Sequence, residues 1–152
     1  SIDRDNGATG HLRVLRSDDA GVTWTWHRTA ALDALTERAG TPFGTGFDAD
    51  EIGHPSLIVH NGAWNLHYAG RRGTRSGIGL LVSDDLVSWR NPSPGDAVLA
   101  PGANGFEQVG VSAPDVLLEP DGLSIVYVGN DGYLGQLAGA FRRATDDGRL
   151  LP

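Results

Sequence analysis

Carboxylates crowd one short stretch of this chain, at Asp48, Asp50 and Glu51, with His54 just after them and Arg71 and Arg72 further on. A second set follows at Glu107, Asp115 and Asp131. Two carboxyl groups held near one another can divide acid–base work, one donating a proton while the other accepts one or attacks. Arginines beside them can grip a carboxylate or a row of hydroxyls through a planar fork of donors. His54 can donate to a hydroxyl, and it can equally be satisfied within a turn. Spacing alone points to no metal: there is no C-x-x-C, no H-x-x-x-H and no EF-hand loop. The chain also lacks cysteine, which removes disulfides and thiolate chemistry.

What must hold these groups is a repeat. Gly46-Phe47-Asp48, Pro55 and Tyr68-Ala69-Gly70 return as Gly105-Phe106-Glu107, Pro114 and Tyr127-Val128-Gly129, each 59 positions later (46 to 105, 55 to 114, 68 to 127). A turn signature recurs beside them, Ser17-Asp18-Asp19-Ala20-Gly21-Val22-Thr23-Trp24 against Ser83-Asp84-Asp85-Leu86-Val87-Ser88-Trp89. A period of this size, filled with short strands, marks a β-propeller blade or a similar array.

The repeat sorts the candidates. A residue kept at the same place in both units is expected to brace the unit, since one active site has no use for a copy. Asp48 and Glu107 are such a pair. Residues that break the symmetry are better site candidates. Asp50 stands against Val109, Glu51 against Gly110, His54 against Ala113 and Asp115 against Ser56, while Arg71 and Arg72 stand against Asn130 and Asp131. The candidate catalytic acids are therefore Asp50 and Glu51, with Glu107 kept beside them. His54, Arg71, Arg72, Asp115 and Asp131 are the candidate substrate-binding residues. Asp131 sits in a Gly-Asn-Asp-Gly stretch that also suits a turn, and His60 and His67 read as structural.

Residues 55–59 read as a short apolar strand, followed by the hairpin turn His60-Asn61-Gly62 and by 64–68, which alternates as a second strand. Residues 71–76 read as a loop and 78–82 as a third strand. The second unit repeats this at 116–118, at 123–127 and at 135–141, and four strands per unit make a blade. Antiparallel strands alternate in direction, so their connections alternate between two ends of the sheet. Residues 48–54 then share an end with Arg71 and Arg72, and residues 107–113 with Asn130 and Asp131. The tryptophan turns fall at the other end, with Asp19 holding backbone N–H groups and Trp24 packed between blades. Residues 30–39 are the one stretch of helical composition, ending at Gly40 as a short insertion.

The expected fold is all-β, built of four-stranded antiparallel propeller blades: a blade part over 1–45, and blade repeats over 46–104 and 105–152. That is about two and a half units, as expected of a segment of a longer protein. Twenty-two glycines and eight prolines suit many strands joined by turns. A net charge of −7 with no basic stripe argues against nucleic acid. No run approaches the roughly 18 apolar residues of a membrane span, and no secretory signal is evident. The compartment stays open, secreted or cytoplasmic. The expected partners are a carbohydrate ligand and either the remaining blades or a second copy of the chain.

The Ser83-Asp84-Asp85-Leu86-Val87-Ser88-Trp89 turn and the ordered Gly-Phe-Asp/Glu, Pro and Tyr-x-Gly landmarks resemble the five-bladed β-propeller glycosidases. That superfamily holds the family-43 arabinanases and xylosidases and the family-32 invertases. The resemblance covers nearly the whole chain as two blades plus flanks. It implies hydrolysis of a glycosidic bond in a furanoside or plant-type polysaccharide by a carboxylate pair. It implies no cofactor beyond a structural calcium, which a histidine such as His54 helps to hold in some relatives. One departure stands out: the family's acids precede the inner-strand proline as D-P or E-x-P. Here those places hold His54 and Gly53, and Ala113 and Ser112. Two alternatives follow. One is a non-catalytic propeller that binds carbohydrate or protein. The other is a sialidase-like propeller, whose Asp-box the Ser17–Trp24 turn matches.

Overall fold

The computed structural model describes residues 12–27, 46–102, 105–120 and 122–132, together with the backbone of 142–144. The helical-composition stretch at 30–39, the strand expected at 135–141 and most of a third turn signature at 144–148 lie outside them.

The described residues are all-β, with one 3-10 turn at Gly105–Glu107. Strands β1 (Val14–Arg16) and β2 (Thr25–His27) form a two-stranded ribbon. A meander follows: β3 (Glu51–His60), β4 (Ala63–Arg72) and β5 (Arg75–Ser83). A second meander joins β6 (Gly110–Glu119), β7 (Gly122–Asn130) and β8 (Arg142–Ala144). All pairings within the meanders are antiparallel, and a lone parallel pairing, Ser76 with Gly110, links β5 to β6. The sheets are propeller blades. The fourth-strand place of the first blade is taken by the chain after Trp89, which touches β5 at two isolated bridges, Val82 with Arg90 and Ile78 with Leu99.

Local chemistry accounts for the connections. Asn61 and Gly62 both take positive φ, 51° and 75°, the requirement of a tight two-residue hairpin between twisted strands. Residues 71–76 are not a loop: β4 runs to Arg72, β5 starts at Arg75, and only Gly73 and Thr74 turn the chain. The inner strands are longer than the short apolar runs at 55–59 and 116–118 suggested, because each passes its proline through a β-bulge, between Gly53 and Ser56 and between Ser112 and Asp115. Proline has no N–H for the ladder, and a bulge is where a strand can leave that position unpaired. His54 and Ala113, each just before the proline, adopt φ of 50° and 49°.

Strand periodicity gives each blade two apolar faces. Leu66, Tyr68 and Leu81 meet Leu12, Ile52 and Trp89 in one core cluster. The opposite face of the first blade supplies Ile78 to a second cluster with Val111, Val116, Leu123, Ile125 and Tyr127 of the next blade. Ser56 Oγ of β3 accepts the Val116 N–H of β6 at 3.0 Å, so the inner strands are also joined by a hydrogen bond. Trp89 is buried as a blade-packing residue, at 8% exposure. Trp24 is not: it is 60% exposed, and its indole N–H folds back onto Gly21 O at 3.1 Å.

Candidate functional site

The two tryptophan turns are held by their aspartates. Asp19 Oδ1 accepts Thr23 N at 2.8 Å and Ser17 Oγ at 2.7 Å, and its Oδ2 accepts Thr23 Oγ1. Those hydrogen bonds, Thr23's first, pull its carboxyl down to about 2. Asp85 does the same for Val87 N and Ser88 N at 2.8 and 2.7 Å, and these donors lower its pKa. Both carboxylates are consumed in local turns, a scaffold role.

At the other end the repeat motif resolves into a clasp. Tyr68 Oη donates to Asp48 Oδ2 at 3.0 Å, and Tyr127 Oη donates to Glu107 Oε2 at 2.6 Å. Asp48 and Glu107 are both buried, at 4% and 7% exposure. Phe47 lies beside Tyr68 with ring centroids 5.9 Å apart, and Phe106 beside Tyr127 at 6.2 Å. The glycine of Tyr-x-Gly makes room: a Cβ on Gly70 would come within 2.6 Å of both Asp48 Cβ and the Phe47 ring, and one on Gly129 would strike Phe106. Burial, then the Asp48 charge, raises the Tyr68 hydroxyl pKa well above its ordinary value. Two buried carboxylates, each held by its own blade's tyrosine, brace the loops that enter the inner strands.

Asp50, Glu51 and Arg71 do come together. In the β3–β4 register Glu51 faces Arg71, and Arg71 Nε donates to Glu51 Oε2 at 2.7 Å, with both side chains nearly half exposed. Arg71 Nη1 donates to Gly73 O at 2.8 Å, and Gly73 N donates to Asp50 Oδ2 at 2.6 Å. The main chain adds Asp50 N to Arg71 O at 2.9 Å. The second blade keeps the main-chain bond and caps its turn with a different side chain. Val109 N bonds Asn130 O at 2.9 Å, and Gly132 N is capped by Asn130 Oδ1 at 2.7 Å. Gly132 is the equivalent of Gly73, so the asymmetry at Asp50 and Arg71 has a structural origin. One blade caps its turn from β3's approach segment, the other from the end of its own β7.

The remaining candidates are spread along the inner strands and their ends. His54 is exposed on the first bulge, Asp115 is exposed just beyond the second, and Asp131 is half-buried after β7. Arg72 is exposed at the hairpin end, opposite Arg75. Glu107 stays under its tyrosine in the second blade. His60 is half-buried and in contact with Asn61 Nδ2 at 3.1 Å. His67 is buried in mid-strand, and desolvation lowers its pKa to about 4. Among the described residues no group of three or more His, Cys, Asp or Glu could hold a metal ion. Sequence reasoning passed over Tyr68, Tyr127 and Gly73 as partners of these acids, although the tyrosines stood in the repeated motif itself.

Two solved structures with a similar arrangement of strands are described as glycoside hydrolases. The "putative glycoside hydrolase" of Parabacteroides distasonis ATCC 8503 superposes with a TM-score of 0.55 at 15% identity, over 66% of this chain. A thermostable family-43 glycoside hydrolase superposes with a TM-score of 0.52 at 22% identity, over 65% of this chain. The likeness is one of fold. This chain spans 31% of the length of each of those structures. No protein-family model matches the sequence, and no curated protein matches it either.

Proposed function

We propose that this chain forms part of a carbohydrate-active propeller, a glycoside hydrolase acting on a furanoside or plant-type polysaccharide. The observation that carries the reading is the fold shared with glycoside hydrolase structures over about two thirds of the chain. It is supported at one end of the sheets, where the hydrogen-bonded group of Asp50, Glu51 and Arg71 offers carboxylates and a guanidinium to solvent. In this reading Glu51 and Asp50 act on the glycosidic bond as acid and base or nucleophile. Arg71, Arg72, His54, Asp115 and Asp131 hold sugar hydroxyls. Asp48 and Glu107 serve stability through their tyrosines.

General acid–base catalysis contributes about 10²–10⁴-fold. Asp50→Asn and Glu51→Gln, made in the protein with all its blades, are therefore expected to cut reducing-sugar release from arabinan, xylan or fructan oligomers that much. Asp48→Asn is expected to lower the melting temperature and spare the turnover of folded protein. Equal turnover in all three variants would instead favour a non-catalytic carbohydrate-binding propeller. That second reading has an observation of its own: Asp48, Asp50, Glu51 and Glu107 each accept a hydrogen bond with a structural purpose.

A further inference from the structure

The β4–β5 hairpin carries charges that its fold does not require. Arg71, Arg72 and Arg75 gather three of the chain's 12 basic side chains within residues 71–75, in a protein of net charge −7. Arg71 is engaged within the fold, by Glu51 Oε2 and Gly73 O. Arg72 and Arg75 are not. They stand opposite each other in the strand register, flanking the turn Gly73-Thr74, and both are exposed. Directly opposed residues share one face of a sheet with Cβ atoms about 4.5–5.5 Å apart, and like charges so placed repel. Among the described residues neither guanidinium makes a hydrogen bond or an ion pair.

The turn needs neither arginine. The repeat of 59 positions puts Asp131 in the place of Arg72 and Leu134 in that of Arg75 (72 to 131, 75 to 134). The turn glycine is capped in both blades, by Asp50 at Gly73 and by Asn130 at Gly132. A repulsive pair that the sister blade does without costs the hairpin stability, and an anion between the two guanidinia would offset that cost. The place of the pair is equally defined. Alternation along β4 sets Arg72 on the side of Tyr68, and Arg71 on the other side, where it holds Glu51. The pair lies across the hairpin from Glu51 and Arg71, at the same end of the sheet, and Asp50 bonds the turn between Arg72 and Arg75.

We propose that Arg72 and Arg75 form an anion clamp that selects an acidic sugar unit, one bearing a carboxylate or a sulfate ester, beside the glycosidic bond on which Asp50 and Glu51 act. The inference rests on the glycoside hydrolase reading and narrows its substrate to an acidic polysaccharide. Two guanidinium forks offer paired N–H donors to the oxygens of one anion, and such charge-assisted pairs are stronger than hydrogen bonds to neutral hydroxyls. Arg72 then holds the charged group, leaving hydroxyls to His54, Asp115 and Asp131.

The test is calorimetric titration of the protein with all its blades, carrying Asp50→Asn throughout to slow turnover while keeping an acceptor for Gly73 N. The probes are xylan oligomers of one length, plain, glucuronate-substituted and sulfated. At least one acidic probe should bind at least about tenfold more tightly than the plain oligomer, and which one does so tells carboxylate from sulfate. Added salt should shrink that preference, because the charges are exposed. Arg75→Gln should reduce the ratio of acidic to plain affinity, and Arg72→Gln with Arg75→Gln should bring it to about one. The melting temperature of that double variant should hold or rise, since a like-charge pair is removed, and this separates lost binding from lost folding. Plain oligomer bound as tightly as both acidic probes, or a preference that survives in the double variant, would overturn the clamp and leave the glycoside hydrolase reading standing. Binding of none of the three would also overturn the clamp, and the reducing-sugar assay would then judge the underlying reading separately.

Discussion

Replacing Tyr68 with Phe removes one oxygen and leaves the ring in place, which isolates the clasp to Asp48. The hydroxyl lies 3.0 Å from Asp48 Oδ2, and both residues are almost fully buried, Tyr68 at 0% and Asp48 at 4% exposure. A hydrogen bond to a charged group contributes about 1.5–3 kcal/mol net. The unfolding equilibrium constant should then rise by roughly 10–150-fold. For a chain of 152 residues each kcal/mol shifts the melting temperature by about 2–4 °C, so the expected fall is roughly 3–12 °C. Urea titration of wild type, Tyr68→Phe, Asp48→Asn and the double variant measures the loss and the coupling. The coupling should be at least about 1 kcal/mol, since contacting partners do not add. Tyr127→Phe should lose as much or more, its bond to Glu107 being shorter at 2.6 Å. The high-pH side gives a sign check. Folding raises the Tyr68 pKa above its ordinary 10, so its contribution is complete below pH 10 and is lost as pH rises beyond that. Losses under about 0.5 kcal/mol for both tyrosines would refute the clasp as the reason for the repeated motif.

Burial sets the His67 pKa at about 4 against 6.5 in the unfolded chain, so only the unfolded state gains a proton between those values. Stability should fall as pH drops from 6.5 to 4, by about 3 kcal/mol from this residue. His67→Val, which copies the equivalent Val126, should flatten that slope in pH-dependent urea titrations. Trp89→Ala should cost about 3–5 kcal/mol, whereas Trp24→Ala should cost under about 1 kcal/mol because that ring is already in solvent. Gly129→Ala should destabilise more than a mid-strand Gly-to-Ala exchange in open space such as Gly53→Ala, because its methyl group would strike Phe106.

The sequence by itself determined the blade architecture and the end of the sheet on which the acids gather. Both follow from local rules: strand alternation, the Asn61-Gly62 turn and a motif that recurs at constant spacing are written along the chain. It also read the symmetric pair Asp48 and Glu107 as braces, while keeping Glu107 among the candidate acids. It could not identify what they brace, since Tyr68 is twenty residues from Asp48 and meets it only once β4 lies beside the approach to β3. The tertiary structure alone decided that the asymmetry at Asp50 has a structural use. Gly73 and Gly132 each need a cap for their N–H: Asn130 reaches Gly132 from two residues away, whereas Asp50 reaches Gly73 only once the approach to β3 lies beside the β4–β5 turn. It decided as well that Trp89 is buried and Trp24 is not, although their turns read alike. Burial is a property of what packs opposite, and Leu12, Leu66 and Tyr68 lie against one ring while the other stands open to water.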